Sequence, residues 1–277
     1  MKASSASNRQ QRVVLITGAS SGIGKACAEY LAARSFHVFG AQRHSINHGT
    51  GAVESLTMDV DDEESVNRAI QIVLEKAGRL DAVVNNAGFA LMGSIEDTSI
   101  DEAKAQMETN FFGVLRVCRA VLPIMRESGT GHVINISSLA GVLGLPFSGL
   151  YSASKFALEG MTESLRLEAR RFGIRVVLIE PGDFRTQLPM KRRIATASET
   201  NDAYRDAFTR MKAAQDKDEA KAPTPEPVAL LVERILKTDN PAARYSVGML
   251  GQRIVVPLKR LLPQRVFEWA LSKALDL

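Results

Sequence analysis

With 277 residues, 45% of them hydrophobic and 24% charged, the chain can bury a sizeable core, and no apolar run approaches the roughly 20 residues that a spanning helix needs. Its two cysteines, Cys27 and Cys118, stand far apart, so neither a disulfide framework nor a thiolate metal site is expected. The net charge of +4 is spread over most of the chain and does not call for nucleic acid.

MKASSASNRQQR, with no apolar stretch, is expected to be a flexible tail over residues 1–11, and the absence of a signal-like segment predicts a cytoplasmic protein. From there, short β-branched runs alternate with longer helix-patterned stretches. The predicted strands are 13–16, 37–41, 55–58, 82–85, 132–136, 175–179 and 244–247, and the predicted helices about 22–34, 62–77, 99–126, 151–172 and 226–237. This alternation predicts an α/β fold, a doubly wound Rossmann-type parallel sheet of about seven strands with helices on both faces, in a single domain. Asp62 before Glu63 and Glu64, and Ser99 before Asp101 and Glu102, are helix-start signals. The charged stretch 187–227, ending in PTPEP, is expected to be a lid over a substrate, and 248–277 a helical extension.

Directly after the first strand comes TGASSGIG, opening a helix. Glycines at Gly18, Gly22 and Gly24 let backbone approach a pyrophosphate, with Ser20, Ser21 and Ile23 around it and the helix N-terminus facing the anion. A ligand-free glycine-rich turn would share this spacing. The second strand runs into Gly40-Ala41-Gln42-Arg43, where a carboxylate would usually hold the ribose 2′-hydroxyl of NAD. Arg43 stands there instead and suits the 2′-phosphate of NADP(H), although a loop arginine can also simply be solvated. Asp59 and Val60, just past the third strand, are placed for the adenine, with helix capping as the other use of Asp59.

NNAG (85–88) follows the fourth strand, ISSLAG (136–141) the fifth, and YSASK (151–155) opens the next helix. The carboxyl ends of parallel strands converge on one crevice, so these separated signals become one site. TGxxxGIG, NNAG, a serine with twelve residues before YxxxK, and PGDFRT together resemble the short-chain dehydrogenase/reductases, over Val13 to about Lys237. The resemblance implies a catalytic set of Asn110, Ser138, Tyr151 and Lys155, with Ser137 an alternative serine. It implies cofactor contacts from Asn86, Ala87 and Gly88, and from Tyr151 and Lys155 themselves, with Pro181, Gly182 and Thr186 meeting the nicotinamide. Asn110 would hold a water linking Lys155 to solvent. A phenol of pKa about 10 shuttles protons poorly near neutrality, so an ammonium beside it is expected to draw that pKa down.

GFALMGSIEDTS, IEPGDFRT and VGMLGQRIVVPLKRLLP are similar to the branch holding 17β-hydroxysteroid and retinol dehydrogenases. Leu91, Leu143, Leu145, Phe147, Leu188 and Met190 are expected to line an apolar substrate pocket, with Ser138, Leu145 and Tyr151 touching the substrate. The implied activity is NADP(H)-dependent interconversion of a carbonyl and an alcohol on a steroid, retinoid, lipid or xenobiotic-like molecule. NAD(H) is the less favoured cofactor, no metal is required, and a non-catalytic dinucleotide sensor is the rival class. The resemblance further implies a homodimer or homotetramer built on the long helices. Asn240 to Phe267 carries five basic residues and no acidic one among apolar side chains, so 248–277 could touch a membrane surface.

Overall fold

A computed structural model describes residues 11–44, 51–186 and 192–274 of the chain. The first half alternates strand and helix: β1 (Val13–Thr17), α1 (Gly22–Ala32), β2 (His37–Gln42), β3 (Val53–Thr57), α2 (Glu63–Ala77) and β4 (Ala82–Asn85). The two-residue strand β5 (Leu91–Met92) is followed by α3 (Ile100–Met107), a π-helical turn (Glu108–Phe112), α4 (Gly113–Ser128), β6 (Gly131–Ile136), α5 (Gly149–Ala169) and β7 (Ile174–Pro181). Then come β8 (Arg193–Ile194), α6 (Asp202–Lys221), α7 (Glu226–Lys237), β9 (Arg244–Val247), α8 (Leu250–Leu261) and α9 (Gln264–Ala274).

Seven strands form one sheet in the order β3-β2-β1-β4-β6-β7-β9, every neighbouring pair parallel, as the alternating pattern predicted. The chain reverses its direction of progress between β1 and β4, which opens a crevice at the carboxyl ends of those strands. Alternation along β1 splits its side chains between two cores. Val13 and Leu15 pack with α2, α4 and α5, while Val14 and Ile16 pack with α1 and α7. Fully buried Leu15, Phe39, Leu158, Leu178 and Ile235 each contribute about 1.5–3 kcal/mol from apolar area removed from water. Cys27 and Cys118 are free thiols in these cores, each pushed up to about 12 by burial, as small core residues would be.

The predicted helix starts are present: Asp62 accepts from Glu64 N–H, and Ser99 and Glu102 form a reciprocal capping box. The single helix expected over 99–126 is instead two helices joined through the π turn, which carries Asn110. Within the expected lid, residues 187–191 lie outside the described set, as do 1–10 of the expected tail. The remainder of 192–227 is mostly ordered helix. Its start is tied down by Glu102, which accepts from Thr196 N–H at 2.9 Å, and by Asp97, which accepts from Asn201 Nδ2 at 2.6 Å. Phe147 meets Tyr204 and Phe208 of α6 edge-on at 6.4 and 5.8 Å between ring centres.

Candidate active site

A cleft of about 520 Å³ runs along the carboxyl ends of β1, β2, β4, β6 and β7. At one end the β1–α1 turn lines it with Gly18, Ser20, Ser21, Gly22 and Ile23. Gly18 has φ +68°, and a Cβ there would stand 2.9 Å from Ala87 Cα, so only glycine lets the turn lie against the segment after β4. That segment is laced to the turn: Asn86 Nδ2 donates to Thr17 O at 3.0 Å, and Thr17 Oγ1 accepts from Asn86 and Ala87 N–H, each at 3.0 Å. Asn86, Ala87 and Gly88 line the cleft beside it, whereas Asn85 is buried and donates to Asn135 Oδ1 at 2.8 Å. NNAG thus gives three residues to the cleft wall and one, Asn85, to the scaffold.

Gly24 departs from expectation. It does not line the cleft; a Cβ there would come within 2.4 Å of Asn86 Nδ2 and 2.5 Å of Gly18 O, so it serves close packing of α1 on the turn. Arg43, Asp59 and Val60 all reach the cleft, and Arg43 is exposed with no carboxylate pairing it among the described residues. Asp59 also takes the capping-type bond, accepting from Asp61 N–H at 3.1 Å.

At the other end stand Asn110, Ser138, Tyr151 and Lys155, with Leu145, Pro181, Gly182 and Thr186. The helix α5 begins at Gly149, so Tyr151 and Lys155 sit one turn apart on its cleft face. Lys155 is 6% exposed and its ammonium donates to Ile136 O at 2.9 Å, which moors it to the end of β6. Burial pushes its pKa down to about 8, opposed by the Glu159 carboxylate one turn on. The Asn110 amide is committed to protein: Nδ2 donates to Phe89 O at 3.0 Å and Ser154 Oγ at 3.1 Å, and Oδ1 accepts from Phe89 N–H at 3.1 Å. It clamps the loop after β4 to the helix bearing the lysine.

The phenol departs from expectation too. Lys155 Nζ lies 5.8 Å from the Tyr151 ring centre with its proton directed at Ile136, and the phenol pKa is raised, not lowered. Burial is the chief cause and the Asp183 and Glu219 carboxylates add to it, while a hydrogen bond with Ser138 pulls the other way. Ser138, not Ser137, bonds the phenol; Ser137 Oγ is buried beneath.

The pocket candidates divide. Leu145 lines the cleft, Leu91 and Leu143 are buried, Phe147 is spent on α6, and Leu188 and Met190 lie outside the described residues. Phe89, Phe184, Asp183, Arg193, Gln215 and Glu219 line the same end and were missed. The expected uniformly apolar wall is therefore mixed, because α6 brings the polar face of a charged helix to it. No local pattern in DKDEAK marks Glu219 as a cleft residue.

The family model for short chain dehydrogenases matches residues 12–197. The chain belongs to the short-chain dehydrogenase family. Among its relatives, a 3-ketodihydrosphingosine reductase of Bacteroides thetaiotaomicron is 40% identical, spanning 95% of this chain and 97% of its own. Among solved structures, ElxO with NADP bound is 28% identical with a TM-score of 0.71, covering 86% of this chain and 97% of its own. A short-chain dehydrogenase/reductase from Burkholderia phymatum in complex with NAD is 26% identical with a TM-score of 0.72, covering 91% and 92%. This short-chain dehydrogenase is thus an oxidoreductase whose family binds a nicotinamide dinucleotide.

Proposed function

We propose that this oxidoreductase reduces the ketone of a largely apolar, lipid-like substrate with NADPH, Tyr151 acting as the proton donor. The observation that carries the reading is the convergence of Ser138, Tyr151 and Lys155 on one end of a cleft whose other end is a glycine turn at a helix N-terminus. The cleft's residues fit a dinucleotide: the cradle at Gly18 is one that a Cβ would fill, and Arg43 is an exposed cation just past β2. A bound nicotinamide dinucleotide supplies or accepts hydride there.

The chain's own groups do the rest. Gly18, Ser20, Ser21, Gly22 and Ile23 hold the pyrophosphate; Arg43 holds a 2′-phosphate; Asp59 and Val60 flank the adenine; Lys155, Pro181, Gly182 and Thr186 orient the nicotinamide end. Ser138 donates a hydrogen bond to the carbonyl oxygen as negative charge grows on it, and Tyr151 passes its phenolic proton to that oxygen. A phenol held above its usual pKa keeps its proton at neutral pH, the form that can donate it. Phe89, Leu145 and Phe184 face the substrate, and the name of the Bacteroides relative favours a 3-keto lipid.

NADPH oxidation against a panel of long-chain ketones tests the reading, with NADH alongside. We expect NADPH to be preferred, and Arg43→Asp to cut kcat/KM for NADPH by about 10- to 100-fold, as loss of hydrogen bonds to a charged phosphate implies, with NADH little changed. Equal losses for both cofactors, or none, remove Arg43 from 2′-phosphate reading.

The C-terminal helices support contact with an anionic lipid surface. Leu250, Ile254, Leu258 and Leu261 form an exposed stripe on α8, Leu261 at 79%, and α9 exposes Val266 and Trp269, the latter at 65%. Exposed Arg253 and Arg265 border these residues. Among the described residues no helix is long and apolar enough to cross a membrane. Sedimentation with phosphatidylglycerol vesicles is expected for the wild type and not for Leu258→Glu, and should weaken with salt. A wild type left in the supernatant rejects the contact.

A further inference from the structure

Beside Tyr151 the cleft is walled by two carboxylates that the reduction described above does not use. Asp183 follows β7, and Glu219 comes from the last turn of α6. Asp183 is held from α8: its Oδ2 accepts from Gln252 Nε2 at 2.5 Å, and its N–H donates to Gln252 Oε1 at 3.0 Å. Glu219 is only 4% exposed; its Oε1 pairs with Arg192, and its Oε2 has no hydrogen-bond partner among the described residues. Asp183 and Glu219 line one cleft with Tyr151, each raises the pKa of the phenol, and Asp183 raises that of Glu219.

Among the described residues the cations nearby do not balance them. Arg192 is shared by Asp216 and Glu219, Lys212 is taken by Asp216, and Asp218 adds to the negative potential at Asp183. Arg193, also in the cleft wall, lies over the Phe89 ring at 4.0 Å. A buried carboxylate oxygen with no donor is costly, and uncompensated negative charge beside a proton-transferring phenol opposes formation of the phenolate. One ligand feature corrects both: a positive charge with several N–H donors. An ammonium has three.

We propose that Asp183 and Glu219 form a subsite for an ammonium group carried by the substrate close to its carbonyl. The substrate class is then an amino ketone with an apolar chain. The ammonium donates to Glu219 Oε2 and to Asp183, and its charge stabilises the phenolate left after Tyr151 gives up its proton. This rests on the reductase reading for turnover, but not for binding.

The test compares a long-chain ketone bearing an ammonium on the carbon next to the carbonyl with its N-acetyl and deaminated counterparts. Affinity is measured by calorimetry and kcat/KM by NADPH oxidation. The amino ketone is expected to bind about 10- to 100-fold more tightly than either neutral counterpart, the range for hydrogen bonds to a charged group, and to hold the same advantage in kcat/KM. The ratio should collapse towards one in Glu219→Gln and in Asp183→Asn, each checked for an unchanged far-ultraviolet spectrum. Equal affinity of the wild type for the three compounds overturns the proposal without recourse to a variant, as does a ratio that survives both substitutions. A binding preference lost in the variants, with no turnover of any compound, upholds the subsite and rejects the reductase reading.

Discussion

Tyr151→Phe is expected to lower kcat by about 10²- to 10⁴-fold, the usual contribution of a positioned general acid, while leaving the affinity for NADPH within a few-fold of wild type. The substitution removes one oxygen and nothing else of shape. Tyr151 is half-buried at the start of α5, its phenol bonded to Ser138, so the variant loses the proton source and leaves the Ser138 hydroxyl free to turn. The packing of the ring and the mooring of Lys155 to Ile136 persist. Stopped-flow or steady-state NADPH oxidation reads kcat, and cofactor fluorescence reads binding. Activity within ten-fold of wild type would assign the proton to another group. Unaltered binding with vanished turnover is the outcome that places Tyr151 in the chemistry.

Lys155→Met is expected to move activity and stability in opposite directions. The side chain is 6% exposed, and burial holds its pKa near 8, well below 10.5. Below about pH 8 the folded protein holds a charge that it would bind more tightly when unfolded, and this lowers stability by up to about 3 kcal/mol. Between pH 8 and 10.5 the folded form has released the proton and the unfolded form has not, so stability rises with pH and the penalty fades. Methionine fills a similar volume without the charge. The variant should therefore melt at a higher temperature than wild type at pH 7, less the lost bond to Ile136, with the advantage shrinking as pH approaches 10.5. Activity should fall by about 10²-fold or more, because the ammonium no longer orients the nicotinamide ribose for hydride transfer. The wild-type rate should decline above pH 8 as Lys155 loses its proton, and that limb should be absent in the variant. A variant that melts lower than wild type at every pH would show that the mooring to Ile136 outweighs the buried charge.

The two carboxylates beside Tyr151 show where sequence reading ends. YxxxK and the serine before it were legible because their partners are local: one turn of helix sets Tyr151 against Lys155, and parallel strands deliver β6 and α5 to the same crevice. Arg43 was legible through a missing carboxylate at the end of β2. Asn110 was legible as a residue but not as the centre of a π turn, since an extra residue in a helix leaves no mark on the apolar period over 99–126. Gly24 was assigned to the ligand, yet its cause lies in the approach of Asn86, more than sixty residues away. Glu219 lies in the charged stretch expected only as a lid, and nothing in its local pattern marks it.

The sequence by itself determined the alternation of strand and helix, the parallel sheet, the glycine turn and the spacing that brings Ser138, Tyr151 and Lys155 to one cleft. Each rests on periodicity of two or 3.6 residues, on backbone freedom at glycine, or on spacing within one element, and these are properties of short stretches. Only the tertiary structure decided that α6 brings Glu219 to the cleft that Asp183 also lines, that the phenol pKa rises because burial and those carboxylates outweigh its hydrogen bond with Ser138, and that α8 leaves an apolar stripe exposed among the described residues. Burial and potential at a point depend on every group packed around it, and those groups come from segments far apart in the chain.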